Sequence, residues 1–161
     1  MALEEIVISN FVDPDFGALR LIETQTEALV NGGPRKKLVH REWSGKRHDL
    51  VAAISISNSD DPPVVTDDVR VAFRAIVLAL DGFKRTIAKS QLELAQDWAA
   101  QGGHAVPLDA TMFANALVVT DFQIGSDRLT VFLKDTADIF DGHAIEVWIE
   151  NGSIVEILLA G

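Results

Sequence analysis

Residues 122–160, FQIGSDRLTVFLKDTADIFDGHAIEVWIENGSIVEILLA, alternate apolar and polar side chains in short bursts separated by turn chemistry. The first burst begins slightly upstream, so the set is Val118 to Ile124, Arg128 to Lys134, His143 to Glu150 and Ile154 to Leu159. Between them lie Gly125-Ser126-Asp127, the segment around Asp141-Gly142, and Asn151-Gly152. A period of two marks a strand with one buried face, and four such bursts joined by short turns predict an antiparallel meander. Asn-Gly suits a type I′ turn, whose two central residues both need positive φ. Placed between Ile149 and Ile154, it pins the register of the last two strands. Ile145, Val147 and Ile149 then share the core face, and Ala144, Glu146, Trp148 and Glu150 share the other.

Working outward from that meander, the amino-terminal residues divide in the same manner. The apolar run Leu3, Ile6, Val7, Ile8 and Phe11 leads to Asp13-Pro14-Asp15-Phe16-Gly17, a turn. A strand over Ala18 to Thr24, with Leu19 and Leu21 on one face and Arg20 and Ile22 on the other, closes at the loop Asn31-Gly32-Gly33-Pro34. Lys36 to Trp43 and Arg47 to Ser57 read as a second strand pair joined by Ser44-Gly45-Lys46. In the latter strand Leu50, Ala52, Ile54 and Ile56 alternate with Val51, Ala53, Ser55 and Ser57.

From Asn58 the character changes. Ser59-Asp60-Asp61-Pro62-Pro63 cannot continue a strand. Thr66 is placed to cap a helix whose first turn carries Asp67 and Asp68, favoured there by the macrodipole. Val69, Phe73, Ile76, Leu80, Phe83 and Ile87 follow at helical spacing, and Leu94 and Trp98 resume the stripe. Gly82 is the weak point at which this long helix would kink or split, and Gly102-Gly103 ends it. Pro107-Leu108-Asp109 starts a short helix with Met112, Phe113 and Ala116 on its apolar face. The expected fold is therefore α+β over a single domain, residues 1–161. Amino-terminal hairpin strands and the four-strand meander form an antiparallel sheet, with the long helix and the short one packed on it.

Composition narrows the function classes. The chain has no cysteine, which removes disulfides, thiolate zinc sites and cysteine nucleophiles and suits a reducing cytoplasm. Its start, Met1-Ala2-Leu3-Glu4-Glu5, is acidic where a signal peptide is basic, and no apolar run nears the roughly 18 to 20 residues of a membrane span. A cytoplasmic protein without membrane contact is expected. A net charge of −10 repels phosphate backbones, so nucleic acid is not the expected partner. Past residue 100, nine acids face only two bases, Arg128 and Lys134.

Three groups of residues invite a functional reading. Glu146, Trp148 and Glu150 combine an aromatic anchor with acid, suited to gripping a basic protein surface. Asp138, Asp141 and His143 concentrate carboxylates and an imidazole of the kind that hold a divalent ion or move a proton, although Asp and Gly are equally what a tight turn needs. Arg35, Lys36, Lys37, Arg41, Lys46, Arg47 and His48, with Trp43 interleaved, form a basic patch suited to phosphate or to blunting an edge strand. Self-association of this patch with the acidic carboxy-terminal part is a third use. No phosphate-binding glycine loop, nucleophile elbow or paired-histidine zinc motif occurs.

Phe140-Asp141-Gly142-His143-Ala144-Ile145-Glu146-Val147, then Gly152 and the ending Leu159-Ala160-Gly161, resemble the carboxy-terminal signature F-x-G-H-x-I-x-V of a bacterial domain family of unknown function. Asp13 to Leu19 is similar to that family's opening strand, and Trp43-Ser44-Gly45-Lys46 to its second hairpin. The resemblance implies proteins encoded beside bacterial toxin systems and an immunity-type binding role. It implies no catalytic residues, and neither a cofactor nor a bound metal is expected. The leading expectation is thus a non-enzymatic binder of a basic toxin or nuclease, with a metal-dependent hydrolase built on Asp138, Asp141 and His143 as the alternative.

Overall fold

The computed structural model describes residues 4–29, 35–107 and 109–161; the side chains of residues 4, 28, 29, 35 and 36 lie outside that description. Also outside it are Leu3, Leu108 and the expected loop Asn31 to Pro34. Among the described residues the strands are β1 (Glu4–Asp13), β2 (Gly17–Leu29), β3 (Arg35–Arg47), β4 (Ala52–Ile56), β5 (Leu117–Ile124), β6 (Arg128–Asp135), β7 (Ala144–Glu150) and β8 (Ser153–Ala160). They form one eight-stranded sheet in chain order. Every neighbouring pair is antiparallel except β4 and β5, which run parallel because the helices intervene. The protein is α+β, two four-strand meanders laid edge to edge.

β5 to β7 follow the alternation that announced them, whereas β8 has no buried residue and the register the turn sets shifts between Ile149 and Trp148, so that Trp148 meets Glu156. Ile145, Val147 and Ile149 are buried, their neighbours half-buried. Asn151 and Gly152 both take positive φ, 50° and 74°, and the turn sets Glu150 opposite Ser153. Opposite strands keep the same faces inward: Leu129, Val131 and Leu133 on β6 pair with the three buried residues of β7. A bulge at Thr120 keeps both Val119 and Phe122 of β5 in the core.

The second amino-terminal hairpin turns elsewhere than the sequence suggests. Ser44-Gly45-Lys46 is no turn: β3 runs straight through it, and the chain reverses at residues 48–51, where Val51 has φ 55°. The glycine serves a close approach, since a Cβ at Gly45 would collide with the Ala18 carbonyl oxygen and the Leu19 side chain of β2. Downstream of the true turn, Ala52, Ile54 and Ile56 are buried as expected.

The long helix is broken at Ala79, three residues before Gly82, into α1 (Asp67–Leu78) and α2 (Leu80–Gly102). Thr66 occupies the cap position without its side chain capping; the hydroxyl instead donates to the Ser126 carbonyl at 3.4 Å. α1 buries Val69, Ala72, Phe73 and Ile76, while Leu80 and Phe83 beside the bend are only partly covered. Beyond the bend the buried positions of α2 are Ile87, Ala88, Ala95 and Ala99, so Leu94 faces solvent, contrary to the apolar stripe. α3 (Ala110–Ala116) begins at Asp109, whose carboxylate accepts the Met112 N–H at 2.8 Å. It buries Phe113 and Ala114 and leaves Met112 exposed, one position off the expected face.

Phe73 ties the layers together. Its ring meets the edges of Phe16 at 4.8 Å and Phe122 at 5.0 Å, joining α1 to the β1–β2 turn and to β5. All three phenylalanines are fully buried.

Candidate functional site

The helical layer and the buried residues lie on one face of the sheet, and the opposite face is bare. Two cross-strand rows span that bare face. One runs Asn10, Arg20, Ser44, Ser55, Gln123, Thr130, Trp148, Glu156 from β1 to β8. The other runs Lys46, Ala53, Asp121, Phe132, Glu146, Leu158 from β3 to β8, with Val12 opposite Ala18 on β1 and β2. Apart from Thr130, these side chains are half-buried or exposed.

Trp148 stands where its register places it, and its neighbours hold it. Its indole N–H donates to Glu146 Oε1 at 2.5 Å, and the Arg128 guanidinium lies over the ring, 4.1 Å from its centroid. Arg128 in turn pairs with Glu150, the Nη2–Oε1 distance being 2.6 Å. These contacts hold the indole in one orientation against the sheet. Because Arg128 neutralises Glu150, the negative charge of this half of the face comes from Asp121, Glu146 and Glu156, set against the exposed Lys134 on β6.

A notch of about 320 Å³ opens on the same face where the parallel strands end, lined by Glu42, Ser55, Ser57, Gln123, Arg128 and Thr130. His40 Nε2 and Ser57 Oγ lie 3.2 Å apart nearby. As a group these residues were not singled out by the sequence, because β4 and β5 pair residues 68 apart, as Ala53 with Asp121, and follow no local pattern.

The remaining sequence candidates are arranged differently. Asp138 and Asp141 take left-handed backbone conformations, φ 54° and 49°, and the Asp138 carboxylate accepts the Gly142 N–H at 2.8 Å. His143 Nδ1 lies 2.7 Å from the Phe140 carbonyl oxygen, and its ring meets Trp98 at 5.6 Å. Asp141 lies 3.8 Å from His104 Nε2. Among the described residues, no three His, Asp or Glu side chains gather as metal ligands. The Asp138 carboxylate and the His143 ring thus have partners within the turn, whereas the Asp141 carboxylate is exposed.

The basic patch is dispersed by strand alternation. Lys37, Arg41 and Arg47 fall on the helix side of β3 and Lys46 on the bare side, while Arg35 and Lys36 belong to β3 with side chains outside the described residues. Arg41 bridges Glu23 at 2.9 Å and Asp61 at 2.8 Å. Arg47 bridges Asp49 at 3.0 Å, donates to the Asp15 carbonyl at 2.5 Å, and lies over the Phe73 ring.

One charged cluster escaped the sequence reading altogether. Asp13, in the β1–β2 turn, is only 4 % exposed, accepts the N–H groups of Asp15 and Phe16, and is gripped by Arg70 of α1 at 2.8 and 2.9 Å. Asp15 binds Arg70 at 3.0 Å and Arg74 at 2.7 Å. Burial works to raise the Asp13 pKa, but the Arg70 hydrogen bonds and the two backbone donors together hold it below the ordinary value. For Asp15 the Arg74 hydrogen bonds are the main cause of a lowered pKa. The spacing of Arg70 and Arg74, one helical turn apart, was the available signal; it says they share a face, without naming what they meet.

The architecture defines a class, an open α+β sheet with one face covered by helices and one left to solvent. The chain belongs to the bacterial family DUF2262, described as an uncharacterized protein conserved in bacteria, which matches residues 38–156, from within β3 to within β8. The match includes the parallel junction, the helices and the Trp148 cluster. No curated protein and no solved structure matches the chain. Among the described residues no helix is long and apolar enough to cross a membrane.

Proposed function

We propose that this chain is a non-enzymatic protein-binding domain whose docking surface is the bare face of β5 to β8, with a basic protein as its partner. The observation that supports this most is Trp148, held against the sheet by Glu146 and Arg128, with the acid Glu156 opposite it on β8 and Asp121 two strands away on β5. Aromatic side chains fixed near the centre of a surface act as binding anchors, and surrounding charge of one sign selects partners of the other. The resemblance noted above makes a toxin or nuclease the expected kind of partner, in an immunity-type role in the cytoplasm.

Affinity capture tests the reading. Wild-type chain should retain a basic protein from the source cell at low salt, and both Trp148→Ala and Glu146→Lys should lose it while remaining folded by circular dichroism. If the same proteins are retained by all three chains, the face is not the docking surface.

A further inference from the structure

We infer that the bare face of the sheet pairs with the same face of a second copy, giving a two-fold dimer in which two sheets stack. The two rows that cross the sheet carry their charges segregated by sign. The row through Trp148 has Arg20 near its β1 end and Glu156 at its β8 end. In the adjacent row Lys46 on β3 precedes Asp121 and Glu146 on β5 and β7. No ion pair of Arg20, Lys46, Asp121 or Glu156 occurs among the described residues, whereas Arg41, Arg47, Arg70, Arg74 and Arg128 all have acidic partners.

A two-fold axis parallel to the strands, lying between the sheets at the β4–β5 junction, exchanges the two ends. It sets Arg20 and Lys46 of each copy over the acidic half of the other, whereas an axis across the strands would set like charges together. The complementary arrangement is the one electrostatics selects.

Shape and size agree with that packing. Beside the β4–β5 junction Ser44, Ala53, Ser55 and Thr130 are small or short, which lets two sheets approach the usual separation of about 10 Å between the longer Lys46, Asp121 and Gln123. Around them the half-buried Phe132 and Trp148 and the exposed Leu158 supply apolar area. Eight strands at a spacing of about 4.8 Å, each about 20 Å long, offer on the order of 750 Å² per copy, close to the roughly 800 Å² per partner of a stable interface. A basic partner using the Trp148 surface would have to displace the second copy, so the dimer would set the concentration at which capture begins.

Sedimentation equilibrium of the full chain alone, at micromolar concentration and low salt, tests the dimer without requiring any other partner. Wild type should sediment as a dimer that weakens as salt rises. Lys46→Glu, at an exposed site, should weaken it about tenfold or more, Asp121→Lys should do the same, and the double variant should recover most of the loss. Ala53→Arg, at the exposed centre of the face, should give a monomer of unchanged circular dichroism. A wild-type monomer overturns the inference. So does a dimer that Lys46→Glu and Ala53→Arg leave intact, because it would use another surface, and a double variant no better than Lys46→Glu overturns the pairing of the two halves.

Discussion

Phe73→Ala is expected to destabilise the protein by about 3 to 5 kcal/mol, the range for deleting a fully buried phenylalanine. In a chain of this size that lowers the melting temperature by about 6 to 20 °C. The ring is fully buried and packs edge-on against Phe16 and Phe122, so its removal opens a cavity where α1, the β1–β2 turn and β5 meet. Collapse of the cavity is restricted because the three elements are fixed by separate backbone hydrogen bonds. Calorimetric melting reports the effect, and a loss below about 1 kcal/mol would mean that α1 is not seated on the sheet in this way.

Arg70→Met should cost about 3 kcal/mol at neutral pH, the lower end for breaking a buried ion pair, because Arg70 keeps 22 % of its side-chain surface exposed. The loss arises mainly at Asp13, which would retain its two backbone donors but face the methionine chain with an uncompensated charge. Its pH dependence separates this mechanism from lost packing against Phe16, over which Arg70 also lies at 4.9 Å. Asp13 and Asp15 have pKa values lowered in the folded protein, so the stability they contribute is complete above the unfolded carboxylate value of about 3.9 and is lost as pH falls through the lowered folded values. The difference between wild type and Arg70→Met should therefore shrink on acidification. Urea unfolding at neutral and strongly acidic pH measures it, and an equal loss at both would assign the effect to packing alone.

How much of this was legible beforehand depended on whether the determining contacts were local. The β7–β8 turn and the faces of β7 were, because Asn151-Gly152 dictates a turn and alternation dictates a face, which put Trp148 on the outer side; the register shift beyond Ile149 had no local signal. Gly45 misled because a glycine needed for close approach to Ala18 has the same local signature as one needed for a turn. The stripe through Leu94 assumed one straight helix, and the break at Ala79 rotated the downstream residues so that alanines face the core. Asp13 looked like a turn former, which it is, but its pairing with Arg70 depends on how α1 crosses the β1–β2 turn. The rows on the bare face required strand order, and the β4–β5 junction is set by a crossover with no signature of its own.

The measurement that bears most directly on the proposed docking face is the association kinetics of the captured basic protein with the chain held dilute on a surface. Association should slow as salt rises, because charges on the exposed face act through a Debye length that falls to about 10 Å at 0.1 M and shortens further above that. Trp148→Ala should leave association nearly unchanged and speed dissociation about 30-fold, corresponding to a loss of about 2 kcal/mol, whereas Glu146→Lys should mainly slow association. Association that is equally fast at low and high salt, together with dissociation that Trp148→Ala leaves unaltered, would contradict a partner held on this face.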